Sequence, residues 1–581
     1  MRKGITLGLA SLGVVLLAAC NEGSSGTGVN NSTTEGSLAY SPPLRIASLT
    51  AAALTAELKA SAAGQQLLAI AGTPKCGVDF HLINYATVGG AGESTSATGA
   101  LMAPTGAGCG GARPIVEYAH GTATTSGYNI ADPTATTNEA YTESVLIAAM
   151  FAAQGYIVVA PNYVGYDQSD VATLKYHPYL NRTQNARDMI DALTAARSAL
   201  AAGLPSGDTD GGKLFLTGYS EGGYVAMAAH RAMQAAGMKV TAAAPMSGPY
   251  ATEALGDAIV LGDVDLGSTV FLPLITESYQ HAYGNIYTTP GDIYETTYAV
   301  GIDSLLPNAQ PIANIFTLDL LPETALFSST PTGLAPLDAA TAAAQANPVF
   351  ALGYGPSNLI KNSVRVAYAT DAFTQPDGAV PTPMAGVPLA AAPAYPLRAA
   401  LNKNDMRSWT PNGTTPILLC GGQNDPTVFY AVNTTTMLAY WAPLVGTVVN
   451  ESDVDPVAPS LTYPAGLASE VAAIAGAAVG AELLGGATDP TVISTAAEGA
   501  VITAPAFAAY FTGTTPNSAQ GIVVAGAAAV VAQVVAADIA AAVTNPTTIG
   551  TDIETAVIQS YHGTLIPPAC TVAARTFFAN F

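Results

Sequence analysis

Positive charge is scarce in this chain of 581 residues: 19 Lys and Arg stand against 41 Asp and Glu, a formal charge of −22. A surface of that sign repels phosphate backbones and anionic headgroups, which excludes nucleic acid as a partner and charge-driven binding to lipid. Histidine is sparse as well. The six are dispersed, without the paired spacing that holds zinc, so no metal is implied. No blade-like repeat recurs along the chain. Long hydrophobic runs are few, and the run from Gly4 to Leu17 is too short to span a bilayer comfortably. The stretch GIVVAGAAAVVAQVVAADIAAAV at 521–543 is long enough, yet Gln533, Asp538 and the weak hydrophobicity of alanine argue against a membrane span.

What is present begins with an export signal. Arg2 and Lys3 precede the apolar run, and Leu17-Ala18-Ala19-Cys20 follows it. This end resembles the bacterial lipobox, which implies lipidation of Cys20; Asn21 after it points to the Gram-negative outer membrane, on either its periplasmic or its surface side. Residues 21–37 are almost devoid of apolar side chains and read as a tether. Beyond Cys20, four cysteines remain, an even number suited to an oxidising compartment. Cys76 and Cys109 bracket two β-like runs, HLINYATV and SATGALMA, joined by Gly-Gly-Ala-Gly. The preferred pairing of the three available is therefore Cys76 with Cys109 and Cys420 with Cys570.

From residue 115, strand and helix alternate: IVEYA, ESVLIAAMFAAQ, YIVVAP, RTQNARDMIDALTAARSAL, KLFLT, a further helix, then VTAAAPM. Alternation of this kind builds a mainly parallel sheet with helices on both faces. It breaks after residue 250 and returns at TTPILLCGG, VFYAVNTTTMLAYW and the strand-like GTVVN. The expected organisation is a signal at 1–20, a tether at 21–40, and a core at 41–250 and 376–465 interrupted by a cap at 251–375. An Ala-rich helical insertion at 466–545 and a C-terminal core segment at 546–581 complete it. The Ala-rich block reads as a packed lid; a sharper alternative has it present an apolar face to a lipid or polymer surface.

The stretch KLFLTGYSEGGYVAMA at 213–228 carries the chemistry. A strand runs into Gly218-Tyr219-Ser220-Glu221-Gly222 and then into a helix, as in a nucleophile elbow. Gly218 and Gly222 permit the tight turn and close helix–strand approach. A serine hydroxyl needs a base, and the base an orienting carboxylate. In the order serine, acid, histidine, only His562 lies beyond the strand at 417–420. Asp425 follows that strand directly, at the end where open α/β sheets assemble their sites; Asp453 and Asp455 are the competitors. A Cys420–Cys570 bridge would staple the acid loop to the base loop. For the oxyanion, one backbone N–H is expected from Glu221 and a second from the loop after IVEYA, at Thr122 or alternatively Gly121. His120 in that loop reads as a positioning residue.

The elbow, the His120-Gly121-Thr122 loop, Gly-Gly-Gln-Asn-Asp-Pro and the terminal Tyr-His-Gly together resemble the α/β-hydrolase superfamily. Within it they are similar to the secretory lipase group, relatives of fungal lipase A-type enzymes and bacterial esterases. The likeness covers about residues 76–250, 410–460 and the last thirty. It implies a capped α/β-hydrolase fold, hydrolysis of carboxylic esters or lipid-like substrates, and no cofactor. The departure is the long Ala-rich block between Asp425 and His562. Two rival readings stay open: a serine peptidase on the same fold, and a lipid-anchored binding lipoprotein with a vestigial triad. Oligomeric state is not legible.

Overall fold

The computed structural model describes residues 28–29, 34–166, 174–377, 389–455, 519–540, 556 and 558–581. The signal and Cys20, part of the tether and most of the Ala-rich block lie outside the described residues.

Nine strands form one sheet: β1 (Leu44–Leu49), β2 (Gly77–Val88), β3 (Ser94–Thr105), β4 (Gly111–Ala119), β5 (Ile157–Pro161), β6 (Asp208–Tyr219), β7 (Ala242–Met246), β8 (Ile417–Gly421) and β9 (Val449–Asp453). Their order is β9-β8-β7-β6-β4-β5-β3-β2-β1. The six strands from β5 to β9 by way of β4 run parallel, and β1, β2 and β3 add an antiparallel extension. Parallel strands covered on both faces need apolar side chains on both, and every residue of β5 and β7 is buried. The crossovers are helices: α1 (Tyr141–Met150), α2 (Arg182–Ala202) and α3 (Glu221–Ala235). Helix α2 starts where the Asn181 side chain accepts the Gln184 N–H and stops at Gly203, in line with its sequence signals.

Strand order reverses beside β4, which pairs with β5 on one side and β6 on the other. Connections leave these neighbours in opposite directions, opening a crevice at their carboxyl ends. The register sets Ala119 against Gly218, so the loop at 120–124 emerges beside Ser220.

Between β7 and β8 the chain builds a helical layer over that crevice, including α4 (Thr252–Leu261), α5 (Ser268–Tyr283), α6 (Asn362–Thr374) and α7 (Pro396–Asn404). Helix α7 packs on α4 and α5, although its residues lie in the stretch expected to belong to the sheet domain. Of the Ala-rich block, α8 (Ala519–Ala540) is described; it packs against the histidine-bearing segment and against α9 (Ile566–Phe578). No helix among the described residues is long and apolar enough to cross a membrane. The strand read at GTVVN begins later, at Val449, because Gly446 adopts a left-handed turn (φ 78°) and donates its N–H to Val449 O. Both expected disulfides are present. Cys76–Cys109 closes the open end of the β2–β3 hairpin, and Cys420–Cys570 ties β8 to α9.

Candidate active site

Ser220 stands between β6 and α3 with φ 59° and ψ −124°, a conformation that costs a non-glycine residue about 1–3 kcal/mol. Its N–H donates to Met246 O on β7 at 3.0 Å, which anchors the turn to the sheet. The flanking glycines leave no room for a side chain. A Cβ on Gly222 would lie 2.0 Å from Ala119 O, and one on Gly218 would lie 2.4 Å from Gly222 O.

The structure brings His562 to this turn from the π-helical turn Tyr561–Leu565 that precedes α9. Its Nε2 lies 2.7 Å from Ser220 Oγ, and its Nδ1 lies 2.6 Å from Asp425 Oδ2. A carboxylate only accepts, so Nδ1 carries the proton and Nε2 is the acceptor facing the hydroxyl. The other oxygen of Asp425 accepts the N–H groups of Thr427 and Val428 at 2.9 and 3.0 Å. Asp453 and Asp455 stand one layer behind. Asp453 Oδ1 accepts the Gln423 N–H, and burial pushes its carboxyl up to about 6. Asp455 Oδ2 accepts from the Asn424 N–H and from the Tyr561 hydroxyl, and so couples the acid loop to the histidine turn.

The two expected oxyanion donors differ from their alternative. Neither the Glu221 nor the Thr122 N–H has a hydrogen-bond partner among the described residues, whereas the Gly121 N–H points at Glu143 Oε1, 3.4 Å away. Glu139 grips the same loop by accepting the N–H groups of Thr124 and Thr125 at 3.0 and 2.7 Å. His120 is wedged between the rings of Tyr128 and Tyr163 with both ring nitrogens against backbone carbonyls, of Gly121 and Asn162.

Comparison with known proteins adds to this geometry. Residues 142–248 match the model of the prolyl oligopeptidase family. The ligand-bound form of the rice cell wall degrading esterase LipA from Xanthomonas oryzae is 27% identical, with 72% of this chain and 91% of that one covered at a TM-score of 0.55. The chain is an α/β-hydrolase. A protein from Legionella pneumophila, 20% identical over 71% of this chain and 90% of its own (TM-score 0.51), shares the fold. No curated protein matches the sequence. The family match and the likeness to LipA make this α/β-hydrolase a serine hydrolase, and its two disulfides fit an exported protein.

Several groups around Ser220 are not legible in the sequence. The Glu221 carboxylate lies 2.6 Å from His177 Nε2, and both side chains are fully buried. Burial lowers the His177 pKa, but the Glu221 charge and hydrogen bond outweigh it, and the net shift is upward. The Tyr219 hydroxyl donates to His562 O at 2.7 Å, bracing that residue from the elbow itself. Separations of 44 and 343 residues hide such pairs from any local pattern. From Ser220 a cavity of ≈ 110 Å³ opens beneath the cap, with walls from residues such as Leu255, Ile259, Leu272, Ile275 and Leu401. Among the described residues, no three His, Cys, Asp or Glu side chains converge as metal ligands would.

Proposed function

We propose that this protein hydrolyses carboxylic esters through an acyl-enzyme on Ser220. The observation that carries the reading is the unbroken line from Asp425 through His562 to Ser220, ending at a largely aliphatic cavity. In the first half-reaction Ser220 Oγ attacks the ester carbonyl while His562 Nε2 takes its proton. Asp425 stabilises the imidazolium through Nδ1–H. The N–H groups of Glu221 and Thr122 stabilise the oxyanion, each such donor being worth about 10²–10³ in kcat. His562 then returns the proton to the leaving alcohol. Water, deprotonated by the same nitrogen, attacks the acyl-enzyme and releases the acid.

The aliphatic walls suit an acyl chain, consistent with the esterase and secretory-lipase resemblance. The second reading, a serine peptidase, rests on the family model that spans the elbow. One experiment separates the two: a serine-directed fluorophosphonate probe, followed by kcat/KM for acetyl to long-chain esters and for peptide amides. Labelling lost in Ser220→Ala, with esters preferred, is expected. Well-folded protein that resists the probe would sink the enzyme reading, and preference for amides would sink the esterase reading. A lipid anchor on Cys20 in the outer membrane belongs to the same proposal; fatty-acid labelling that persists in Cys20→Ser would contradict it.

A further inference from the structure

Three arginines are buried among the described residues: Arg365, Arg398 and Arg407. Two of them sit among carboxylates at the root of the cap. Arg398 donates from Nε and Nη2 to Asp257, at 2.7 Å each, and lies 3.3 Å from Asp371. Arg407 donates to Asp377 at 2.7 Å and to Asp405 at 2.9 Å. Arg365 differs. On the first turn of α6 and only 1% exposed, it has no carboxylate oxygen within 4.0 Å of its guanidinium among the described residues.

What holds Arg365 is neutral. Its Nε donates to Val260 O at 3.0 Å, and its Nη2 donates to Thr341 Oγ1 and the Tyr354 hydroxyl at 2.8 and 3.1 Å. The ring of Phe327 lies 4.3 Å from its Cζ. These contacts use the protons of Nε and Nη2 and leave Nη1, with two N–H donors, without a hydrogen-bond partner among the described residues. Arg365 lines the same cavity as Ser220. A guanidinium does not shed its charge, and an aliphatic enclosure is a costly place to leave its donors unmet. A hydrocarbon tail in this cavity would cover those donors without satisfying them. A tail that ends in a carboxylate would meet them with a charge-assisted bond.

We infer that the preferred substrates are esters whose acyl chain ends in a second, free carboxylate, half-esters of α,ω-dicarboxylic acids, with Arg365 reading the distal group. This rests on the ester-hydrolase reading above. The negative exterior fits a reader placed inside: it repels anions in general, so selection for one requires a cation within the cavity. Hydrolysis turns the bound monoanion into a dianion, which the same field helps to expel.

The test compares 4-nitrophenyl half-esters of adipic, suberic and sebacic acids with neutral 4-nitrophenyl esters of equal length. It uses the wild type, Arg365→Met, Arg365→Lys and Ser220→Ala. The quantity read is the ratio of kcat/KM for the half-ester to that for the neutral ester, in which any loss of folded protein cancels. A ratio of about 10–100 at the fitting length is expected in the wild type. Arg365→Met should bring it to one or below, and Arg365→Lys should keep part of it. A wild-type ratio of one or less at every length overturns the inference, as does a high ratio unchanged in both variants. Hydrolysis that survives Ser220→Ala overturns the ester-hydrolase reading itself. Hydrolysis that depends on Ser220 but ignores the distal carboxylate overturns the present inference alone.

Discussion

Asp425→Asn probes the proposed relay with almost no change of shape. Asp425 uses both oxygens: Oδ1 accepts two backbone N–H groups, from Thr427 and Val428, and Oδ2 faces His562 Nδ1. An amide has a single acceptor oxygen. If that oxygen stays with the backbone pair, the amide NH2 faces His562. The ring must then accept at Nδ1 and carry its proton on Nε2, where it meets Ser220 as a donor and cannot take the serine proton. If the amide flips instead, its NH2 meets two buried backbone donors. Each stranded donor costs about 1–3 kcal/mol, so the flip costs about 2–6 kcal/mol. The competent arrangement is then populated about one time in 30 to one in 10⁴, and kcat should fall by that factor. KM should move little, because Thr427 and Val428 line the cavity and Asp425 does not. The assay is steady-state hydrolysis of the best ester, with Asp453→Asn as the control. Asp453 serves the Gln423 and Asp455 N–H groups, so its variant should keep kcat within about 10-fold. A loss below 10-fold in Asp425→Asn, or an equal loss in the control, would refute the assignment of the acid.

The bridge between Cys420 and Cys570 closes a separation of 150 residues and the bridge between Cys76 and Cys109 one of 33, which chain entropy values at about 5 and about 4 kcal/mol. Urea unfolding of Cys420→Ala/Cys570→Ala should show the larger loss, and this pair should inactivate first on warming because it joins the strand before Asp425 to the helix after His562; an order reversed in both readouts counts against that role. The pair Glu221–His177 makes a pH-dependent prediction. The folded pKa of His177 is raised, burial opposing and Glu221 prevailing, so the pair stabilises the fold fully below the ordinary histidine value of about 6.5 and progressively less as pH climbs through the folded value. The gap in unfolding free energy between wild type and Glu221→Gln should therefore narrow from pH 6 to pH 9. A gap independent of pH would mean that His177 is not charged in the folded state.

How much was legible depended on how local the physics was. The elbow is five consecutive residues, so its pattern is local, although the Ala119 carbonyl that crowds Gly218 and Gly222 comes from another strand. The hairpin and its bridge were readable for the same reason. Chain order alone singled out His562, because the other five histidines lie before the strand at 417–420. The strand at GTVVN was misplaced by three residues, because a left-handed Gly446 looks like any glycine in one dimension.

Sequence by itself determined the alternation of strand and helix and the serine turn, each set by residues close together in the chain, and the negative charge of the exterior, a sum over the whole chain that needs no contacts. Tertiary structure decided which of three aspartates faces the histidine, through the register that sets Gly421 against Asp453 and turns Asp455 toward Asn424 and Tyr561. It decided which loop N–H stays unpaired, because Glu143 reaches Gly121 and not Thr122. It also decided that Glu221 meets His177 and that a lone arginine shares a cavity with Ser220. The reason is physical: hydrogen bonds and ion pairs act over about 3 Å of space whatever the separation along the chain, and only the fold converts one distance into the other.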